Sequence, residues 1–269
     1  MKQWGRNIPA YRQIAVLRMH MAYMYRTNVA LELACLLLKV YLLKMVFVAV
    51  YAGRETVDGI TLRQVITFVT IANLQTFLLV PLIAWYVQDR VREGQVAFDI
   101  ARPAPFLSQL LAHQVGETVS AVPFVVLALP FAALLGGLQA PQSIMAGLLY
   151  MVSLGLGYLV AALMSLIIGL VAFWTMQLGG VLVIYMFANQ FFGGALVPLW
   201  FFPPSLRRVA DLLPFQAQTF IPLSMYTGQL DGMEAVQALA LQLFWVVALC
   251  GFAWLLWQRA IYRVVIQGG

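Results

Sequence analysis

The feature that most constrains this chain is a series of unbroken apolar segments, each about 20 residues long. Hydrophobic residues make up 63% of the chain and charged residues 10%, whereas soluble domains are about 45–50% apolar and about 25% charged. A chain that uses lipid as its solvent must satisfy its backbone in helices or in a closed barrel. Because the apolar runs do not alternate with polar residues, they predict helices. The sequence therefore predicts an all-α integral membrane protein.

Six apolar segments are predicted to cross the membrane, and together they form a single membrane domain over residues 1–269. The fourth is too long for one straight crossing of about 30 Å of hydrocarbon, so we expect it to tilt or to extend beyond the membrane. The predicted spans are Thr27–Ala52, Val65–Val87, Gln114–Gly136, Ser143–Thr175, Gly179–Leu199 and Ala235–Trp257.

The distribution of basic residues predicts the orientation. Six crossings place both termini on one side, together with the segment Asp89–Pro105, and this side carries ten Lys and Arg residues outside the spans. The opposite side carries four, namely Arg54, Arg63, Arg207 and Arg208. Loops rich in Lys and Arg stay in the cytoplasm. The termini are therefore predicted to be cytoplasmic. We expect the membrane to be the plasma membrane of a prokaryotic cell.

The first 26 residues mix arginines with aromatic and aliphatic residues. Such a mixture is typical of a helix that lies in the membrane interface, with its arginines among the lipid headgroups. Residues 1–26 are therefore predicted to form an interfacial helix. A purely structural lead-in to the first span explains the pattern about as well.

A charged segment, Asp89–Pro105, interrupts the apolar sequence between the second and third spans and holds six of the 26 charged residues. Its charges exclude it from the hydrocarbon core, where each would cost about 2.5–3.5 kcal/mol. Read as one helix, it places Val91, Gln95, Phe98 and Ala101 on a single face. This pattern predicts a short amphipathic helix at the membrane surface that docks a partner. A plain connecting loop is the alternative, but loops between antiparallel helices are usually about 2–8 residues long.

The connection at 197–229 is apolar yet contains five prolines. Neither half is long enough to span a bilayer, and the prolines prevent one straight helix. We predict an outer re-entrant hairpin of two short helices, which requires protein to cover the broken backbone. An ordinary outer loop is the alternative.

Polar side chains inside predicted spans are candidates for a substrate pathway, because their burial in lipid is costly. An ammonium at Lys39 is expected to face a hydrated cavity, a partner chain or a structural partner such as Glu32, with Asn73 and Gln190 as candidate neighbours. Two roles are open for the uncharged polar residues, because they could form hydrogen bonds between helices or could contact substrate. The candidates are Glu32, Lys39, Asn73, Gln75, Asn189, Gln190 and Phe191.

The motif search argues against catalysis by this chain. The sequence contains no P-loop, HExxH or GxSxG pattern. Cys35 and Cys250 lie inside predicted spans without CxxC spacing, so we expect buried, reduced cysteines and neither a disulfide nor a metal site. His113 and Glu117 are four residues apart, which favours a hydrogen-bonded pair. The basic residues are dispersed, which is not the pattern of a nucleic-acid-binding surface.

Several segments resemble the permease subunits of ABC exporters of the type-2 superfamily, in the branch with six spans. The resemblance covers essentially the whole chain, from the basic N-terminal helix to the outer hairpin. The sequences that carry it are Arg92–Gln95 continuing to Ala101–Pro103, then Phe191–Pro198, Phe202–Pro203 and Leu213–Phe215.

The resemblance implies that the chain binds no cofactor itself and that ATP and Mg²⁺ lie on a separate cytoplasmic ATPase dimer. It also implies a second permease, identical or related, and outward movement of an amphipathic or lipid-like substrate. Asp99 stands where an apolar residue is more often expected in this branch. The residues implied in ATPase coupling are Val91, Arg92, Glu93, Gly94, Phe98, Asp99, Arg102 and Pro103.

Two other classes of protein remain open from the sequence. One is a membrane scaffold or lipid-scrambling subunit outside the ABC transporters, whose cytoplasmic helix docks some other partner. The other is an intramembrane enzyme, which the missing catalytic motifs disfavour. Copurification of an ATPase with a P-loop would separate the first of these from a permease.

Overall fold

The computed structural model describes residues 12–13, 16–17, 26–57, 59–80, 82–175 and 177–267. The predicted interfacial helix at 1–26 lies almost entirely outside these ranges. Strands β1 (Thr56–Val57) and β2 (Ile60–Thr61) form a small antiparallel ribbon, and the rest is helical. The helices are α1 Arg26–Tyr51, α2 Leu62–Leu78, α3 Leu82–Arg92, α4 Val96–Ile100, α5 Phe106–Gly136, α6 Ile144–Thr175, α7 Gly179–Phe192, a 3-10 helix Leu199–Phe201, α8 Pro204–Asp211, α9 Phe220–Tyr226 and α10 Gly232–Gln267.

Within the described residues, five helical segments are long and apolar enough to cross a membrane. The prediction of an all-α integral membrane protein is thereby confirmed. The fifth predicted span, Gly179–Leu199, is wrong in its extent, because α7 ends at Phe192 after 14 residues. Such a helix is about 21 Å long, which is short of the roughly 30 Å of hydrocarbon. The two glycines that follow, Gly193 and Gly194, end it, and Gly194 has a φ of 81° that favours glycine.

The second predicted span is interrupted, since α2 ends at Leu78 and α3 begins at Leu82. Helix ends leave backbone groups without partners, and neighbouring helices supply them here. The side chain of Gln114 donates to the Val80 carbonyl (3.2 Å) and accepts from the Ile83 N–H (3.3 Å). Ser165 Oγ accepts from the Ala84 N–H at 3.1 Å. The interruption is therefore stabilised by polar side chains of α5 and α6.

Two polar contacts define the two ends of the helix bundle. At one end, the Tyr226 hydroxyl donates to the Gln139 carbonyl (2.6 Å), which joins the α5–α6 loop to the segment at 197–229. At the other end, the Gln88 side chain accepts from the Leu178 N–H (2.6 Å), beside the charged segment. Successive long helices therefore run in alternating directions, as the predicted topology requires.

A row of small residues on α6 lets other segments approach its backbone closely. These residues recur every four positions, all are buried, and they are Ser153, Gly157, Ala161, Ser165 and Gly169. A Cβ at Gly169 would lie 3.1 Å from Ala84 Cα, so α3 packs directly on this helix. Small residues at such spacing are a common way for membrane helices to pack without a hydrophobic driving force. Helix α6 is therefore the central helix of the described fold.

Several smaller predictions need correction. The third predicted span starts at Gln114, but α5 already begins at Phe106, and α10 continues ten residues beyond the predicted end at Trp257. Cys35 and Cys250 were predicted to be buried, yet both are free thiols on exposed faces of their helices. Membrane helices expose apolar faces to lipid, so an apolar environment does not require burial within the protein.

Candidate functional site

The charged segment at 89–105, which we call the elbow, is not one helix. Helix α3 ends at Arg92, Gly94 adopts a φ of 70°, and the five-residue helix α4 follows before Pro105 starts α5. The prediction of a continuous amphipathic helix is therefore wrong. A glycine in the left-handed region is a usual way to end a helix, and here it separates α3 from α4.

Asp99 lies at the centre of the elbow and is 1% exposed. Its carboxylate pairs with Arg90 Nε at 2.9 Å and with Arg102 Nη2 at 3.3 Å. The Arg90 guanidinium also donates to the side chain of Gln95. These contacts join the end of α3, the turn after it and the residue before Pro103. Asp99 was predicted to take part in ATPase coupling, and the structure instead places it inside the elbow.

The elbow is also tied to both spans that it connects. Gln109, on the first turns of α5, donates from Nε2 to the carbonyls of Asp99 and Ala104, each at 2.9 Å. Val91 and Val96 are buried in the same apolar cluster as Phe106. The apolar packing of the elbow and the buried hydrogen bonds of Gln109 make it a rigid connection between α3 and α5.

The outer surface of the elbow combines one large apolar side chain with charges. Phe98 is 75% exposed. Around it, the predicted coupling residues that are exposed are Arg92, Glu93, Gly94, Arg102 and Pro103. Val91 and Asp99 face inward and support the elbow. Of the predicted coupling residues, six are therefore available to a partner.

Among the candidate pathway residues, the structure brings Lys39 and Gln190 together. Lys39 Nζ donates to Gln190 Oε1 at 2.6 Å, which links the middle of α1 to the end of α7. Glu32 is exposed on α1 and is not the partner of Lys39. Polar side chains inside spans usually find partners on other helices, and here the predicted neighbour from the fifth span is confirmed.

Asn73 and Gln75 do not join this contact. Asn73 Nδ2 donates to the carbonyls of Val69 (2.8 Å) and Ala195 (3.3 Å), and Gln75 Nε2 donates to the Gln218 carbonyl (2.7 Å). Both are almost fully buried. They join α2 to the chain after α7, so the reading in which these amides hold elements together fits their contacts.

The two remaining candidates lie near the end of α7. Asn189 is buried, and its Oδ1 has no hydrogen-bond partner within the described residues. The ring of Phe191 packs against Phe202, with centroids 4.9 Å apart. Phe191 therefore belongs to the aromatic contact between α7 and the chain that follows it.

Sequence reasoning missed the residues that fix the segment at 197–229 to α6. Gln242 on α10 is fully buried and donates to the carbonyls of Ala217 (2.7 Å) and Ser153 (3.0 Å). Gly157 lies against the same stretch, since a Cβ there would be 2.9 Å from the carbonyl oxygens of both Ala217 and Gln218. The repeat of small residues every four positions from 153 to 169 is a signal that could have found this interface.

These features define a polytopic α-helical membrane protein with a firm polar elbow at one end and a folded, proline-rich segment at the other. A family profile described as ABC-2 family transporter protein matches residues 36–268. The chain therefore belongs to the ABC-2 transporter family. Comparisons with curated proteins and with solved structures gave no significant match.

Family membership assigns the chain to the permease subunits of ABC transporters, which are generally non-catalytic and associate with an ABC ATPase. This confirms the resemblance noted in the sequence. It also argues against the alternative of a scaffold or scrambling subunit outside the ABC transporters.

Proposed function

We propose that this chain is the permease of an ATP-driven exporter that moves an amphipathic or lipid-like substrate outward. ATP and Mg²⁺ bind to a separate ATPase dimer, and two permeases, identical or related, form the pathway. The chain lies in the plasma membrane of a prokaryotic cell, and its termini and elbow are cytoplasmic. The excess of Lys and Arg on the elbow side supports this orientation.

The elbow is the observation that carries the proposal. A docking element must resist deformation, because a soft connection would absorb the partner's movement. The Asp99 ion pairs and the Gln109 amide tie the elbow to α3 and α5, while Phe98 projects outward among charged residues. Aromatic side chains are enriched at the centre of protein interfaces, and polar and charged residues form the rim, so an exposed Phe98 with charged residues in the same segment fits a docking surface.

Transport follows from a population shift between two permease states. ATP binding changes the separation of the two ATPase subunits, and each docked elbow moves with its subunit. The ATPase dimer must bind the two permease states with different affinity, since a partner that binds both equally shifts nothing. Movement of the elbow reaches α3 and α5 directly. The interruption between Leu78 and Leu82, stabilised by Gln114 and Ser165, separates α3 from α2 and gives the second span two segments.

The second permease is proposed to cover the apolar faces of α1 and α7. Helix α7 buries Leu182, Tyr185 and Asn189, while Ile184 and Phe187 on its other side are about 70% exposed. When a helix is shorter than the membrane is thick and packs on one side only, its exposed side is covered more favourably by a neighbouring protein than by lipid. The Lys39–Gln190 contact lies between these two helices, so the pathway is proposed to pass beside it.

Replacing Phe98 by aspartate is expected to abolish recovery of the ATPase with this chain and to abolish stimulated ATP hydrolysis. The substitution removes the apolar centre of the docking surface and adds a charge that must be desolvated on binding. Because Phe98 contributes little to the fold, membrane insertion and the thermal melting curve should not change. Copurification and ATPase assays in nanodiscs measure these effects.

Leu212→Asp is the matched control, since Leu212 is 77% exposed in the segment at 197–229, at the other end of the bundle. It should leave ATPase recovery intact. Normal ATPase recovery by the Phe98→Asp variant would overturn the assignment of the docking surface.

Replacing Lys39 by methionine tests the pathway. The variant removes the cation but retains an unbranched side chain, so the permease should assemble normally and show basal ATPase activity. Transport should be lost or should shift away from anionic or carbonyl-rich substrates. Lys39→Arg, which retains the charge, should preserve more transport. Full transport by Lys39→Met, or loss of the folded complex in both variants, would contradict a pathway role.

A further inference from the structure

A second polar region lies at the end of the bundle opposite the elbow. There the ends of α1, α2 and α5 surround an open cavity of about 790 Å³. Its charged lining consists of Lys44, Arg54, Arg63 and Glu55, so basic side chains outnumber acidic ones by three to one. None of these side chains takes part in the elbow or in the Lys39–Gln190 contact, so the proposed function leaves the cavity unexplained.

The cavity has the form of a site for an amphiphile. Leu62, Ile66 and Leu138 supply an apolar wall beside the basic groups. Lys44 lies seven residues before the end of α1 at Tyr51, about 10 Å along the helix axis. The cavity therefore extends from the loop that carries Arg54 to a level inside the helical bundle. A lipid headgroup at the opening of the cavity would contact the basic residues, and an acyl chain along its wall would contact the apolar residues.

The two arginines are free to bind an anion. Within the described part of the chain, neither Arg54 nor Arg63 makes a salt bridge, and both are exposed, whereas Lys44 already has a contact of its own. Arginine binds phosphate through a planar fork of donors, and it does so best where apolar surface limits competing water. Two arginines on different elements can bind one phosphate from two sides.

The backbone around the arginines is well fixed. Thr61 precedes α2 and forms a capping box, in which its hydroxyl accepts from the Gln64 N–H and the Gln64 side chain accepts from the Thr61 N–H. The β1–β2 ribbon closes the loop between Arg54 and Arg63. A site with a preorganised backbone loses less entropy when it binds a ligand.

We propose that this cavity binds the anionic phosphate headgroup of a membrane lipid in the leaflet opposite the elbow. The bound lipid would lie with its phosphate between Arg54 and Arg63 and with an acyl chain against Leu62 and Ile66. This inference goes beyond the proposed export function. Binding requires neither the ATPase nor ATP, so its failure and the failure of the export proposal are distinguishable.

Protection of a cysteine at the cavity tests the proposal. In a background with Cys35→Ser and Cys250→Ser, Gln139→Cys places a thiol on the lining of the cavity. The purified full chain in a neutral detergent is treated with a thiol reagent while phosphatidylglycerol or phosphatidylcholine is added. Phosphatidylglycerol should protect the thiol at about a thirtyfold lower concentration than phosphatidylcholine, because two basic residues near a lipid headgroup favour an anionic lipid by about that factor. Phosphatidylcholine should have little effect.

Variants identify the groups that bind. Arg54→Gln combined with Arg63→Gln should raise the phosphatidylglycerol concentration for half-protection about thirtyfold. Arg208→Gln removes one positive charge outside the cavity, as each single cavity variant does, and should not raise this concentration. Single Arg54→Gln and Arg63→Gln variants give intermediate shifts if both groups bind. A thiol at Ser205, on exposed α8, should not be protected.

Three results would overturn the proposal. Equal protection by phosphatidylcholine would show that charge does not matter. Unchanged protection in the arginine variants would place the lipid elsewhere. Equal protection by soluble glycerol phosphate at the same concentration would retain the phosphate site but exclude a lipid as the preferred ligand.

Discussion

Replacement of Gly157 by alanine is expected to destabilise the protein by about 3 kcal/mol. The added Cβ would lie 2.9 Å from the carbonyl oxygens of Ala217 and Gln218, which are backbone atoms and cannot rotate away. The same two carbonyls accept hydrogen bonds from Gln242 and Gln75, each at 2.7 Å. Overpacking costs about 1–3 kcal/mol, and each displaced hydrogen bond adds about 0.5–1.5 kcal/mol.

The measurement is a thermal or denaturant melt of the purified chain in detergent. Gly155→Ala provides the control in the same helix, because a Cβ at Gly155 meets nothing within 4 Å. Alanine also raises helix propensity by up to about 1 kcal/mol, so this variant should be neutral or slightly more stable. Equal stability of the two variants would show that the segment at 197–229 does not pack on α6 as described.

The spans and their alternation could be predicted because hydropathy reports lipid exposure directly. The break between Leu78 and Leu82 was missed because an apolar window of the right length extends across it, although Pro81 is a sequence signal for the end of a helix. Its stability depends on Gln114 and Ser165, which lie far away in sequence and whose side chains supply the missing backbone partners. These hydrogen-bond partners come together only in the packed helix bundle, so a hydropathy scan along the sequence does not identify them.

The elbow shows a second limit of the sequence. A helical reading of 89–105 places Val91 and Phe98 on a single face, yet Val91 is buried whereas Phe98 is exposed. The left-handed turn at Gly94 changes the register, so every later residue takes a different direction. The sequence shows a glycine at position 94, but only its backbone conformation determines which side chains of the elbow are exposed.

The pathway candidates divide for a similar reason. The sequence identifies which polar residues lie in the spans. Only the orientation of each helix about its own axis determines which of these residues contact one another. Lys39 reaches Gln190 across two helices, whereas Asn73 bonds to Val69 and Ala195. An amide has both donors and acceptors and readily satisfies a backbone carbonyl, while an ammonium has only donors and needs an oxygen. A lysine inside a span therefore predicts a contact between helices better than an asparagine does.

Asp99→Asn is expected to weaken the elbow and to reduce ATPase recovery by about tenfold or more. The neutral amide cannot balance two guanidinium groups, so Arg90 and Arg102 would repel each other across the turn. Breaking a fully buried pair costs about 3–5 kcal/mol, and an exposed pair is worth about 0.2–1 kcal/mol. The side chains of Arg90 and Arg102 are 24% and 51% exposed, while the side chain of Asp99 is 2% exposed, so an intermediate cost of about 2 kcal/mol is expected.

Limited proteolysis at the elbow, together with copurification of the ATPase, measures this effect. Asp211→Asn is the matched control, because Asp211 pairs with Arg207 at 2.9 Å on α8 but its side chain is 45% exposed. That variant should change stability by less than about 0.5 kcal/mol. Faster cleavage at the elbow and loss of the ATPase should occur together in Asp99→Asn, since both follow from the same loosened connection. If the elbow becomes protease-sensitive while ATPase binding and stimulated hydrolysis remain normal, a firm elbow is not what couples the two subunits.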